Sequence, residues 1–223
     1  NVAPTALVHT LGSTTARASI RVEAGTAPTS PNSGDLWHDS TRQCFQVYCG
    51  AMTLGLQKVG FAETGNANIN TSTSETTLIG TGTGTATLAA NFLTVAKTIK
   101  VRMWGFYGTK ASPVGALTIR FKYGSTTLVT LSPTLTVSLT NQPFNLEFEL
   151  TCRTTGATGT VFAQGEGKFY SAAGTAGLIS GVTTATTTID TTASSKIDIT
   201  AQWATSNASN TITSTNYSME VLY

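Results

Sequence analysis

The stretch Leu117-Thr118-Ile119-Arg120-Phe121-Lys122-Tyr123 alternates apolar and polar side chains over its whole length. In an extended strand successive side chains point to opposite faces, so Leu117, Ile119, Phe121 and Tyr123 line one face and the cations the other. Working outward, Ile99-Lys100-Val101-Arg102-Met103 repeats the pattern. Leu146-Glu147-Phe148-Glu149-Leu150-Thr151-Cys152 repeats it with acidic outward residues, and Ile197-Asp198-Ile199-Thr200-Ala201-Gln202-Trp203 does so again. The last strand places Tyr217, Met219, Val221 and Tyr223 on one face. Leu78, Leu88, Leu128, Leu131, Val137, Val161, Phe169 and Ile189 anchor further strands between these. No segment carries a sustained helical stripe. The pattern predicts an all-β chain with eight to ten strands, folded as a jelly-roll-like antiparallel β-sandwich with no helix beyond about two turns. Phe121, Ile199 and Trp203 are expected inside, with Arg120, Glu147 and Glu149 outside.

Composition agrees. Charged residues make up 11% of the 223 residues, against about 25% in an ordinary soluble domain. Thr supplies about a fifth of the chain, and there are 21 Gly. A β-branched residue suits a half-exposed pleated surface, and glycine punctuates turns. The net charge is +2 with no basic cluster, so the phosphate-neutralising surface of a nucleic-acid binder is not expected. No apolar run is long enough for a membrane-spanning helix, and no signal peptide is expected at Asn1.

Two parts are predicted: residues 1–60, a small N-terminal β-meander, and residues 61–223, the sandwich. Gly25 to Gly34 holds two prolines and two glycines and reads as a loop. Asp35 to Asp39 then forms a strand, Ser40-Thr41-Arg42 turns, Gln43 to Cys49 returns, and Met52 to Leu56 follows. A meander this small is not self-sufficient. Ala62 to Glu75, rich in Asn, Thr and Ser, reads as a linker or a loose first strand. Thr81 to Thr87 and Thr183 to Thr192 read as edge strands or long connections.

Chemistry is sparse. His9 and His38 are the only histidines, and neither sits beside a nucleophile motif, so no catalytic residue is assigned. Glu147 and Glu149 share one outward face, and Asp190 and Asp198 flank a turn that they are expected to cap. Gly80 to Gly84 lacks the Lys and the strand-to-helix setting of a phosphate loop. Three cysteines, Cys44, Cys49 and Cys152, argue against a disulfide framework. Cys44 and Cys49 facing each other across a hairpin is the alternative to buried free thiols. No metal site and no cofactor are expected.

One resemblance adds to this. Ala18 to Pro31, followed by Gly34-Asp35-Leu36-Trp37, resembles a module of bacteriophage tail-fibre and related virion appendage proteins. There an extended strand leads into a Gly-Thr-Ala-Pro-x-x-Pro loop, a Gly-Asp-Leu/Ile-Trp strand and a hairpin. The match covers about the first quarter of the chain. Ile197 to Trp203, Asn210 to Thr213 and Tyr217 to Tyr223 are similar, more loosely, to the closing hairpin of phage β-sandwich domains. The resemblance implies a homotrimeric structural protein on the virion surface that contacts other virion proteins and attaches to the host surface or decorates the particle, and it carries over no catalytic residue; a host surface glycan is the candidate receptor. A capsid decoration protein and a carbohydrate-binding module of a secreted protein are the alternatives. Glycan contacts are expected in loops at one end of the sandwich. Phe106, Tyr107 and Lys110, beside Gly105, Gly108 and Pro113, are the candidates for such a turn. The competing reading continues Phe106 and Tyr107 as a core strand.

Overall fold

A computed structural model describes residues 24–25, 29–30, 35–39, 44–49, 52–55 and 58–222. The chain divides into two compact units, 1–56 and 57–223. The described residues of the first unit form one four-stranded sheet. Its strands are β1 (Ala24–Gly25), β2 (Leu36–Asp39), β3 (Cys44–Cys49) and β4 (Met52–Gly55). β2, β3 and β4 form the expected antiparallel meander, and β1 adds to β2 in parallel. The ring of His38 meets that of Phe45 edge-on at 5.3 Å. Cys44 and Cys49 begin and end one strand, about 16 Å apart along an extended chain. That is beyond disulfide reach, so they do not face each other across a hairpin. His9, Leu56 and Tyr223, and most of the residues that carry the resemblance, lie outside the described residues.

The second unit is built entirely from strands and connections, without helix among its described residues. Its strands are β5 (Lys58–Gly65), β6 (Asn68–Asn70), β7 (Thr76–Thr77), β8 (Thr81–Gly84), β9 (Thr87–Leu88), β10 (Thr98–Gly108) and β11 (Leu117–Tyr123). They continue with β12 (Thr126–Leu131), β13 (Gln142–Thr154), β14 (Gly159–Tyr170), β15 (Ala176–Val182), β16 (Thr187–Ile189), β17 (Ser195–Trp203) and β18 (Thr211–Val221). The large sheet runs β15-β14-β13-β10-β18-β5-β8, with β16 on β14 and β6 on β18. The small sheet runs β12-β11-β17-β7, with β9 on β17. Every pairing in this unit is antiparallel. The chain passes from β10 in the large sheet to β11 and β12 in the small one. It returns through β13 to β15, crosses again to β17 and closes on β18. Consecutive strands that change sheets in this way are what a jelly-roll-like sandwich requires.

The inner faces are those the alternation predicts. Leu117, Ile119, Phe121 and Tyr123 are buried, as are Ile197, Ile199, Ala201 and Trp203. Phe121 of the small sheet stacks on Phe148 of the large one, with ring centroids 4.9 Å apart, which ties the two layers at the centre of the core. Val221 and its inward neighbours Met219 and Tyr217 close the same layer. Cys152 is a buried free thiol whose pKa burial pushes up, so it behaves as a small apolar residue.

Ala62 to Glu75 is not a free linker. β5 inserts between β18 and β8, and β6 extends β18. Thr81–Gly84 is the strand at one edge of the large sheet, and all four of its residues are exposed, as expected of an edge. Asp190 caps its turn: its Oδ1 accepts from the Thr192 amide at 2.8 Å and the Thr192 hydroxyl at 2.6 Å. Asp198 does not cap; it accepts from Thr77 at 2.6 Å and pairs with Lys196 at 3.0 Å.

Candidate functional site

The two outer faces of the sandwich differ in kind. On the small sheet, Glu75 reaches over β17 to Lys122 and Arg120 on β11 and accepts from Thr200 on the way. The hydrogen bond from Lys122, then that from Thr200, holds the Glu75 carboxyl below the usual carboxylate range. Gln202 donates to the Thr73 carbonyl and Ser206 to that of Thr71. That face is strapped by the residues around β7, and its charges are satisfied by one another.

The large sheet is open on the side of β10, β13, β14 and β15. The cause lies in β10. Ile99, Val101 and Met103 point into the core, so alternation sends Lys100, Arg102 and Trp104 outward. Trp104 is 43% exposed although β10 lies in the middle of the sheet, between β13 and β18. Its directly paired neighbours are Asn145 on β13 and Asn216 on β18. Phe106, two residues on, shares this outer face, opposite Pro143. The register continues the Trp104 row from Asn145 through Lys168 to Leu178, which is 76% exposed. One row of side chains thus crosses four strands with aromatic, amide, cationic and aliphatic groups in turn.

Beside this row the face is dished. Inward positions of β14 are small: Ala163, Gly165 and Gly167. A Cβ on Gly165 would fall 2.3 Å from Cδ1 of Phe148, so the β14 backbone rests directly on the core ring and a side chain would hold it off. Three adjoining concavities occupy the outer side. One of about 320 Å³ is bounded by Asn145, Glu166, Lys168, Leu178 and Ser180. The next, about 360 Å³, has Glu147, Glu149, Gln164, Glu166, Ser180 and Val182 around it. The third, about 220 Å³, reaches Thr151, Arg153 and Phe162. Neighbouring concavities share residues, so they form one trough along the strands.

Electrostatics within the trough are uneven. Glu147 pairs with Lys100 and with Arg102, the latter at 3.1 Å. Burial pushes its carboxyl up, but the hydrogen bonds from Lys100 and Arg102 outweigh this and hold it below the usual range. A carboxylate kept ionised in this way does not serve as a general acid. Glu149 has a long contact at 3.4 Å with the Gln164 amide. The Arg153 guanidinium lies 5.2 Å from the Phe162 ring centre. Among the described residues no cluster of His, Cys, Asp and Glu could hold a metal ion.

The residues expected to form a binding turn separate. Tyr107 is 2% exposed, donates its hydroxyl to the Tyr170 carbonyl at 2.8 Å and meets Phe169 edge-on at 5.4 Å. Its ring is a core ring, and both Phe106 and Tyr107 belong to strand β10 rather than to a turn. Lys110 follows the strand in a loop, half-buried, its amide donating to Asn210 Oδ1 at 3.0 Å and its carbonyl accepting from Ser138. Phe106 alone joins the open face. Sequence reasoning missed Trp104, which reads as the end of a strand, yet the alternation that buries Met103 already turns it outward.

No family model matches the chain, and no curated protein matches it. Two solved structures are distantly similar. The CBM2 module of the evolved Dit of Lactobacillus casei BL23 phage J-1 aligns with TM-score 0.30 and 14% identity, over 61% of this chain and 68% of that one. A protein of unknown function from Shewanella oneidensis MR-1 aligns with TM-score 0.35 and 12% identity, over 76% of this chain and 77% of that one.

Proposed function

We propose that this chain is a non-enzymatic structural protein of a bacteriophage particle, a homotrimer at the virion surface that attaches to a host glycan through the open face of its large sheet. The observation that carries the attachment role is Trp104. A Trp side chain offers about 200 Å² for burial, so leaving nearly half uncovered forgoes roughly 2 kcal/mol of hydrophobic stabilisation. A central strand has every opportunity to cover it, and the neighbours on both sides are amides instead. An aromatic face flanked by amide donors and acceptors suits a pyranose ring, which presents C–H groups on its face and hydroxyls at its rim. The virion setting rests on the resemblance of Ala18 to Trp37 to tail-fibre modules. The trimer is supported by that resemblance and by the small apolar content of the N-terminal meander.

A glycan array probed with the wild-type protein and with Trp104→Ala tests the attachment role, alongside the solution mass by light scattering. Binding lost in a variant that melts like the wild type supports attachment. A trimer that binds no glycan overturns it and leaves a decoration protein. A monomer that binds indicates a carbohydrate-binding module instead.

A further inference from the structure

The trough says more about its ligand than Trp104 does alone, provided that the open face is the attachment surface. From Asn145 to Arg153 the floor follows β13 for nine residues, about 26 Å at the rise of a strand. The trough has Leu178 at one end, in the row that Trp104 begins on β10, and Phe162 at the other, while the 66% exposed Val182 flanks the middle beside Gln164. Its middle is lined by groups that accept hydrogen bonds. Glu147, Glu149 and Glu166 stand there with Gln164 and Ser180. An ionised carboxylate has no proton to give, so the best-matched occupant brings many donors, as a chain of hydroxylated rings does.

Charge narrows the class further. Glu147 is neutralised by Lys100 and Arg102. Glu149 and Glu166 have no ion pair among the described residues. Lys168 and Arg153 stand at the two ends, and Arg153 is already set over Phe162. A polyanion laid along the trough would press its charges against the unneutralised carboxylates at mid-length, a repulsion that is strongest where water is partly excluded.

We infer that the trough binds an extended, uncharged oligosaccharide lying along β13 and β14, several rings long, and that Glu149 and Glu166 reject polyanionic glycans; this rests on the attachment role of the same face. Isothermal titration of the full chain tests it with mono-, di-, tetra- and hexasaccharides of neutral glucan, chitin and rhamnan series, and with oligogalacturonates as the anionic counterpart. The expected result is affinity that rises roughly tenfold or more from monomer to hexamer in a neutral series, with the uronates weaker. The double variant Glu149→Gln, Glu166→Gln should weaken the neutral hexamer and strengthen the uronate one. Both positions lie on the outer face, so a melt like that of the wild type confirms the fold. Equal affinity for monomer and hexamer, or uronates bound as tightly as neutral chains, overturns the inference. If such a short-site or anion-binding protein still loses binding in Trp104→Ala, the attachment reading survives. A folded wild type that binds nothing in any series removes both.

Discussion

Trp203 is the largest fully buried side chain of the sandwich, and truncating it tests the packing of the whole core. It ends β17, opposite Leu117 of β11, and is 1% exposed. Truncating a buried aromatic to Ala costs about 3–5 kcal/mol, because the lost burial adds to a cavity the surroundings only partly fill. For a chain of this size each kcal/mol moves the midpoint by about 2–4 °C, so Trp203→Ala should melt roughly 6–20 °C lower. The indole N–H tempers this. Its Nε1 is buried with no hydrogen-bond partner among the described residues, and an unmet donor of that kind costs about 1–3 kcal/mol in the native state. Trp203→Phe keeps most of the apolar bulk and deletes that donor, so it should lose less than about 2 kcal/mol. Urea unfolding of the three proteins gives both numbers. A loss under about 1 kcal/mol for the Ala variant, with no gain for the Phe variant, would put Trp203 at a surface and refute the core assignment. Equal losses for Ala and Phe would mean that the N–H is well bonded.

Two further predictions concern the walls of the sandwich. Glu75 has its folded pKa lowered from 4.5, so its contribution is complete above that pH and disappears as pH falls through the folded value. The stability difference between wild type and Glu75→Gln, followed by chemical unfolding across an acid series, should therefore be largest near neutrality and shrink below pH 4.5; a constant difference would show that the ion pairs to Lys122 and Arg120 do not contribute. Gly165→Val puts a branched side chain where even a Cβ would fall 2.3 Å from Phe148. It should destabilise by about 1–3 kcal/mol or more through overpacking, and a melt equal to that of the wild type would mean that β14 does not rest on the Phe148 ring.

The long strands are legible in the sequence because each alternates over seven or more residues: β11 coincides with its quoted stretch, and β13 and β17 contain theirs and run beyond them. The short pieces are not. β6, β7, β9 and β16 have two or three residues each, too few for a period to register. β5 carries Gly60 and Gly65 and a polar end, so it reads as the approach to a linker although tertiary pairing with β18 and β8 makes it a sheet strand. The open face is half legible. Alternation through Met103 turns Trp104 outward, and the same alternation places the Glu147/Glu149 row outward. The partners that make a site of them, Lys168, Leu178, Ser180 and Val182, come from β14 and β15. Only the register of the folded sheet brings β14 beside β13 and β15 beside β14. Tyr107 misleads because the adjacent glycines suggest a turn, whereas Gly105 sits where a Cβ would fall 2.0 Å from the Thr213 carbonyl within a continuous strand.

Attachment through the open sheet face can be followed residue by residue by two-dimensional NMR of the labelled protein titrated with a neutral hexasaccharide that it binds. The Trp104 indole N–H and the amides of Asn145, Glu149, Glu166 and Ser180 should shift together along one saturation curve, while those of Lys110, Glu75 and Gln202 stay in place. Shifts confined to the loop after β10, or to the strapped face of the small sheet, would contradict it.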